Sequence, residues 1–194
     1  MIPDVHMASQ TINNIGSYLK FVIYEPEEDT FFILDNLIPI GKILEMGAGS
    51  GYISLALAEK GFDVTAVDID PEAINKIKSK RKNIKTVVSD LFKNVDGKYD
   101  TIIFNPPYLP GNVNEDRTIF GGKNGQEVIQ NFLSQAYEHI EKNGRIFIIF
   151  SSFNDIEYLK KKFRQYCFRK INEKKLSFHS IFIYVLWRCE DEIQ

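Results

Sequence analysis

Little in this chain points toward a metal or a membrane. Cys167 and Cys189 are its only cysteines, and they do not form a CxxC pair. A zinc site or dithiol redox motif is therefore poorly supported, and two reduced thiols are expected, with a disulfide left open. His6, His139 and His179 lie far apart and give no ligand spacing, so no metal is expected. The apolar runs are short. Even Ile146-Phe-Ile-Ile-Phe150 is far below the length that spans a bilayer. The opening Met1-Ile-Pro-Asp-Val-His6 lacks a charged leader followed by an apolar core, so it does not read as a signal peptide. A cytoplasmic protein without membrane association is expected. Net charge is -2, so there is no whole-molecule attraction to nucleic acid or anionic lipid. No internal repeat or low-complexity tract appears.

What is present fits one folded domain. The chain has 194 residues, 44% hydrophobic and 26% charged, which is enough to bury a sizeable core. The expected division is a single domain over 1–194, with 1–40 as a covering segment and 41–194 as the core. Short β-rich runs alternate with helix-period segments. Strands are predicted at Lys42–Met46, Asp63–Val67, Lys85–Val88, Thr101–Phe104 and Arg145–Phe150. Helices are predicted at Ser50–Lys60, Pro71 to about Lys82, and about Gln126–Glu141. An N-terminal helix is expected after Tyr24-Glu-Pro-Glu-Glu-Asp-Thr30. Pro26 suits its first turn, Glu27, Glu28 and Asp29 suit its positive end, and Phe31, Leu34 and Ile38 give an apolar face. The end of the chain differs. A helix around Asp155–Tyr166 is followed by two β-like runs, Ile171–Phe178 and Ile181–Trp187, joined by His179-Ser180, which reads as an antiparallel hairpin. The whole is an α/β arrangement, a mostly parallel central sheet with helices on both faces and a C-terminal antiparallel hairpin.

The segment Glu45-Met46-Gly47-Ala48-Gly49-Ser50-Gly51-Tyr52 ends one strand and opens a helix. Glycines there permit a tight turn and close backbone approach to a ligand. The spacing is GxGxG, and Tyr52 stands where a dinucleotide fingerprint needs glycine. No Gly-Lys-Ser/Thr ending supports a nucleotide P-loop either. Asp68 ends the next strand, about twenty residues beyond Gly47, where a carboxylate can accept from both hydroxyls of a ribose. Asp70 is the better helix N-cap. Asp90-Leu91 ends the third strand, where a base would lie, although a turn aspartate is a rival reading of Asp90. Three such positions at successive strand ends favour a nucleoside-bearing cofactor.

Asn105-Pro106-Pro107-Tyr108 follows the fourth predicted strand. Each proline biases the residue before it away from helix, so the turn is stiff. The Asn105 side-chain oxygen and a nearby backbone carbonyl can accept both hydrogens of a planar NH2 group. Tyr108 can stack on that plane. Orientation is then the main catalytic device, and no strong base is required.

In this order the motifs resemble those of the release-factor glutamine methyltransferases of the HemK/PrmC type, in their short archaeal and eukaryotic branch. The resemblance runs from about Tyr24 to Phe150. Tyr24–Thr30 and Gly121-Gly-Lys-Asn-Gly-Gln-Glu127 share in it. It implies a class I methyltransferase (Rossmann-like) fold, S-adenosyl-L-methionine as cofactor, and methylation of the glutamine amide in the Gly-Gly-Gln motif of a class I peptide chain release factor. By position it implies a cofactor site of Thr30, Glu45, Gly47, Asp68, Asp90, Leu91 and Asn105. The loop glycines Gly49 and Gly51 join that set on the residue reading. Asn105, Pro106 and Tyr108, with Pro107, would hold the glutamine amide. A small zinc-binding activator subunit is an implied partner.

Two other readings stay open. An exocyclic amine of adenine or guanine in DNA or RNA is also a planar NH2. Such a substrate calls for a basic surface. Lys76, Lys78, Lys80, Arg81 and Lys82, and Lys160, Lys161, Lys162 and Arg164, form two basic runs that read as solvated helix faces. A non-catalytic cofactor-binding partner is the other reading, and an intact Asn-Pro-Pro-Tyr argues against it. Leu109–Asn124 reads as a substrate lid or a connector, with Gly111, Gly121 and Gly122 as hinges. Trp187 reads as core.

Overall fold

In the computed structural model, residues 24–81 and 83–190 are described. The reading of residues 1–6, His6 included, and of Lys82 falls outside them. Seven strands form one sheet in the order β3-β2-β1-β4-β5-β7-β6. They are β1 (Lys42–Met46), β2 (Asp63–Asp68), β3 (Lys85–Val88), β4 (Tyr99–Phe104), β5 (Ile140–Ser151), β6 (Tyr166–Lys175) and β7 (Ser180–Arg188). The first five pair in parallel, while β7 runs antiparallel to both β5 and β6.

The inner parallel strands β1, β2, β4 and β5 are largely apolar and buried because helices cover both faces, while the edge strand β3 is partly exposed. From Ile146 to Phe150 every side chain of β5 is buried. One face packs against α1 (Glu28–Asp35), α2 (Tyr52–Glu59) and α3 (Pro71–Lys80) through Phe32, Ile33, Leu57 and Ile77. The other packs against α4 (Glu127–His139) and α5 (Ile156–Lys162) through Ile129, Phe132, Leu133 and Leu159. Each large apolar side chain so enclosed contributes roughly 1.5–3 kcal/mol.

Sheet order sets the position of the site. The chain leaves β1 for β2 on one side and later returns to β4 on the other. The carboxyl ends of β1 and β4 therefore lie side by side at the point where strand order reverses. Met46 pairs with Phe104, so Gly47 and Asn105 emerge as neighbours.

Several sequence expectations shift. The N-terminal helix begins at Glu28, so Pro26 precedes it, and Asp35 ends it, which leaves Ile38 beyond it and exposed. Its buried face is Asp29, Thr30, Phe32 and Ile33, while Phe31 lies outward against the edge of the Tyr52 ring. The helix expected to reach Tyr166 stops at Lys162. Tyr166 instead opens β6 and donates its hydroxyl to the Leu133 carbonyl at 2.9 Å. A β-strand places alternate residues on one face, and a register shift between Lys170 and Asn172 breaks that alternation at Ile171, which hid the strand's true start. The expected pair of reduced thiols is corrected too. Cys167 and Cys189 are joined in a disulfide, brought together because Cys167 pairs with Trp187 across the hairpin and Cys189 donates its N–H to Gln165. Trp187 is partly buried against one core, with the Arg169 guanidinium over its ring. His139 is a structural residue, stacked on Phe92 with centroids 4.6 Å apart and Nδ1 3.0 Å from the Gly97 carbonyl.

Candidate active site

The glycine loop takes its shape from backbone angles that only glycine adopts at little cost. Gly47, Gly49 and Gly51 have φ of 65°, 51° and 77°. Gly47 is exposed toward a cleft of about 790 Å³ that runs along the carboxyl ends of the sheet. Gly49 and Ser50 pack beneath the incoming chain, where Ser50 donates its N–H to the Tyr24 carbonyl at 3.0 Å. Gly51 does not line the cleft. It turns the chain into α2 from behind, and a Cβ there would strike the Ile77 side chain.

Two carboxylates brace the loop. Glu45 is buried, and its Oε2 accepts from the Ser54 N–H at 2.8 Å and from the Ser54 hydroxyl. Burial pushes its carboxyl up to about 8, against those two hydrogen bonds and with an added push from the Asp68 charge. Asp68 accepts from the Gly49 N–H at 2.7 Å with one oxygen and from the Asp70 N–H at 2.9 Å with the other. Burial raises its pKa while those N–H groups oppose the rise. Asp70 caps α3 by accepting from the Glu72 N–H at 2.8 Å, as expected of it. At the end of β3, Leu91 sits at φ 50°, an uncommon setting for a branched side chain, and this turn brings Asp90 and Leu91 to the cleft wall.

Across the cleft lies the tetrapeptide. Pro106 is buried, and Asn105, Pro107 and Tyr108 are partly so. Asn105 Oδ1 is shielded from water and has no hydrogen-bond partner among the described residues. A buried acceptor without a donor costs about 1–3 kcal/mol, so this oxygen is set for a ligand N–H. The Tyr108 carbonyl accepts from Ser151 Oγ at 3.3 Å and Asn154 Nδ2 at 3.4 Å, which fixes the turn against β5. The Tyr108 hydroxyl donates to Asp29 Oδ2 at 3.1 Å, and burial raises its pKa, so it remains a donor. The Gly121–Glu127 segment is the bed for this turn. A Cβ on Gly121 would collide with the Pro107 carbonyl and one on Gly125 with the Tyr108 carbonyl. Leu109 and Gly121 tie the base of the intervening loop together, with Leu109 donating to Ile119 at 3.2 Å and Gly121 to Leu109 at 2.9 Å.

The model of the methyltransferase small domain matches residues 27–176. The chain belongs to that family. It is an S-adenosylmethionine-dependent methyltransferase. Its relatives include the putative protein N5-glutamine methyltransferase MJ0928 of Methanocaldococcus jannaschii, 35% identical over 192 residues, covering 91% of this chain and 98% of that one. Methyltransferase HEMK2 of Mus musculus is 32% identical over 151 residues, 66% of this chain and 71% of its own. Among solved structures, the E. cuniculi Mtq2–Trm112 complex, responsible for methylation of the translation termination factor eRF1, superposes with a TM-score of 0.71. The identity is 25%, covering 85% of this chain and 98% of that chain.

The cleft suits the methyltransferase's cofactor. Thr30, Glu45, Gly47, Gly49, Asp68, Asp90, Leu91 and Asn105 all face it, and the exposed Gly47 backbone has no side chain to block an approaching nucleoside. Pro106, Pro107 and Tyr108 face the same cleft. Of the positions singled out by sequence, only Gly51 stands apart. Sequence reasoning overlooked Asp29, assigned there to the helix dipole, and Tyr24 and His179, to which no role was given. Tyr24 donates to Asp29 Oδ1 at 2.5 Å. His179, in the turn before β7, sits 5.7 Å from the Tyr108 ring and 5.5 Å from Phe153, its Nε2 buried without a partner among the described residues. Burial lowers its pKa, while the Asp29 charge opposes that. No local pattern could have found them, because folding alone brings Asp29, with Tyr24 bonded to it, and His179 to Tyr108.

Proposed function

We propose that this chain methylates the side-chain nitrogen of the glutamine in the Gly-Gly-Gln motif of a class I release factor. The observation that carries this reading is the orphaned Asn105 Oδ1, held beside the glycine loop in a cleft also lined by Tyr108. An amide NH2 donates one hydrogen to that oxygen and the other to a backbone carbonyl of the same turn. Both hydrogen bonds draw electron density onto nitrogen and fix its lone pair in one direction. The Pro106-Pro107 backbone, pinned through the Tyr108 carbonyl, keeps the acceptor from drifting. The Tyr108 ring offers a face for the amide plane. S-adenosylmethionine, when bound, supplies the methyl group. Thr30, Glu45, Gly47, Asp68, Asp90 and Leu91 would hold it, and water would take the proton that the methylated nitrogen gives up. Well-oriented reactants account for up to about 7–11 kcal/mol of barrier lowering, so a strong base is not required.

A nucleic-acid amine fits the same tetrapeptide but not the cleft. Among the described lining residues are the carboxylates of Glu25, Glu27, Asp29, Glu45, Asp68, Asp70, Asp90, Asp116 and Glu127, with Arg117 as the only Lys or Arg. Even with Glu45 protonated, that wall repels a phosphate backbone. Of the basic runs, Lys76 pairs with Glu25, Arg81 with Glu59 and Lys160 with Glu157. A small activator subunit is a candidate partner, since Mtq2 is in complex with Trm112. One continuous sheet supports the single-domain reading for the described residues, with residues 24–27 forming a strap against the glycine loop through the Tyr24 carbonyl. No helix among the described residues is long and apolar enough to cross a membrane; the cytoplasmic site of action rests on the release-factor reading.

The test is transfer of labelled methyl from S-adenosylmethionine to a purified class I release factor, with and without the activator. Replacing the glutamine of Gly-Gly-Gln is expected to abolish labelling. Persistent labelling of that variant, or preferential labelling of DNA or RNA, overturns the reading.

A further inference from the structure

Asp29 is a buried carboxylate at the start of α1, where one would expect an exposed acid facing solvent at a helix N-terminus. Burying a charge is costly unless donors surround it. Here Oδ1 accepts from the Tyr24 hydroxyl at 2.5 Å and from the Thr30 N–H at 2.6 Å, and Oδ2 accepts from the Tyr108 hydroxyl at 3.1 Å. Burial raises the pKa of both tyrosines, so both hydroxyls stay protonated.

The two tyrosines come from different segments lining the cleft. Tyr24 lies on the strap over the glycine loop, where its carbonyl accepts from the Ser50 N–H at 3.0 Å and Glu25 beside it pairs with Lys76 of α3. Tyr108 closes the acceptor tetrapeptide. One carboxylate thus joins a segment that folds against the cofactor loop to the ring that faces the methyl acceptor. A ligand that orders the strap prepares the same carboxylate that holds Tyr108, so the second ligand meets a lower ordering cost.

We propose that Asp29 is a positioning residue that couples the cofactor and acceptor ends, so that binding at one end tightens binding at the other. The acceptor arm rests on the glutamine reading above, while the cofactor arm does not. In the cofactor arm, S-adenosylhomocysteine is added to the purified protein and amide exchange is followed by mass spectrometry. In the wild type it is expected to slow exchange at the Tyr108 and Leu109 amides of the acceptor turn as well as in residues 24–30. In Asp29→Asn and in Tyr24→Phe the protection at Tyr108 and Leu109 is lost, while the glycine loop is still protected. Tyr24→Phe guards against misfolding, since it removes one hydroxyl and leaves the carboxylate in place. In the acceptor arm, calorimetry measures release-factor affinity with and without saturating S-adenosylhomocysteine. Wild type is expected to show a gain of about fivefold or more, and both variants a ratio near one.

Unchanged protection of Tyr108 and Leu109 in both variants, or no such protection in the wild type, overturns the coupling. Release factor that fails to bind the wild type while protection still spreads to Tyr108 overturns the glutamine reading and leaves the coupling standing.

Discussion

The two halves of the cleft are built in different ways. The cofactor half is assembled from strand ends, each carrying its own residues in a short stretch: Gly47 after β1, Asp68 at the end of β2, Asp90 and Leu91 after β3. Its braces span shorter separations, 9 residues from Ser54 to Glu45 and 19 from Gly49 to Asp68, against 43 to 79 for the bonds that hold Tyr108. The acceptor half has one local motif, Asn105–Tyr108, held by partners from everywhere else. Tyr108 bonds to Asp29 of α1, Ser151 of β5 and Asn154 beyond it, and rests on Gly121 and Gly125. A half built locally tolerates damage to the tertiary frame, whereas a half braced from a distance does not.

The sharpest way to break that contrast is at the shared neighbour. Asn105→Ala is expected to lower turnover about 10²–10³-fold, as removing a preorganised polar partner of the reacting group does elsewhere, with S-adenosylhomocysteine affinity largely kept. Equal losses in turnover and in calorimetric affinity would mean that Asn105 serves the cofactor first. Next comes the bed of the tetrapeptide. Gly121→Val puts a branched side chain against the Pro107 carbonyl. It should cost ~10²-fold in methyl transfer through displacement of the clamp, with little change in cofactor binding. If the variant retains full turnover, the long-range bracing does not set the acceptor geometry.

A smaller effect is expected at the far edge of the sheet. Cys167→Ser opens the only disulfide among the described residues, which closes a loop with a sequence separation of 22. Stability is expected to fall by about 2–4 kcal/mol in denaturant titration while specific activity of the folded fraction is kept. A parallel loss of activity would show that the β6–β7 hairpin, through His179, holds the acceptor half in register. The last effect is read as a pH slope set by Glu45. Its carboxyl is raised from the ordinary 4.5 to about 8 by burial, so between those values the folded state keeps a proton that the unfolded state releases. Stability from this group is therefore full below about 4.5, declines as pH rises through the window, and levels off above about 8. Glu45→Gln should flatten that part of a Tm-against-pH profile. An unchanged slope would assign the pH dependence to another group.

The inner parallel strands were legible because strands covered on both faces are dominated by apolar residues, as Lys42–Met46 is; Lys85–Val88, partly exposed at the sheet edge, was legible from its β-branched run, and both fall at the bounds read from sequence. The boundaries that moved lie where burial is one-sided or the ladder is interrupted. Tyr166 continues the apolar rhythm of α5 although it opens an edge strand, and Ile171 is displaced by a register shift. Asp29 reads as an ordinary acid in a helix first turn, since nothing within a few residues reveals the tyrosine 79 positions away that it meets.

The sequence by itself determined the parallel core, the glycine loop with its acidic partners, and the stiff Asn105–Tyr108 turn, because each depends on contacts or backbone preferences within a few residues. Only the tertiary structure decided that Asp29 faces inward, that Gly121 and Gly125 support the turn, that His179 reaches Tyr108, and that Cys167 meets Cys189. The physical reason is shared by all four. A buried polar group or a close packing contact takes its meaning from its partner, and these partners become neighbours only when the sheet closes in its particular strand order.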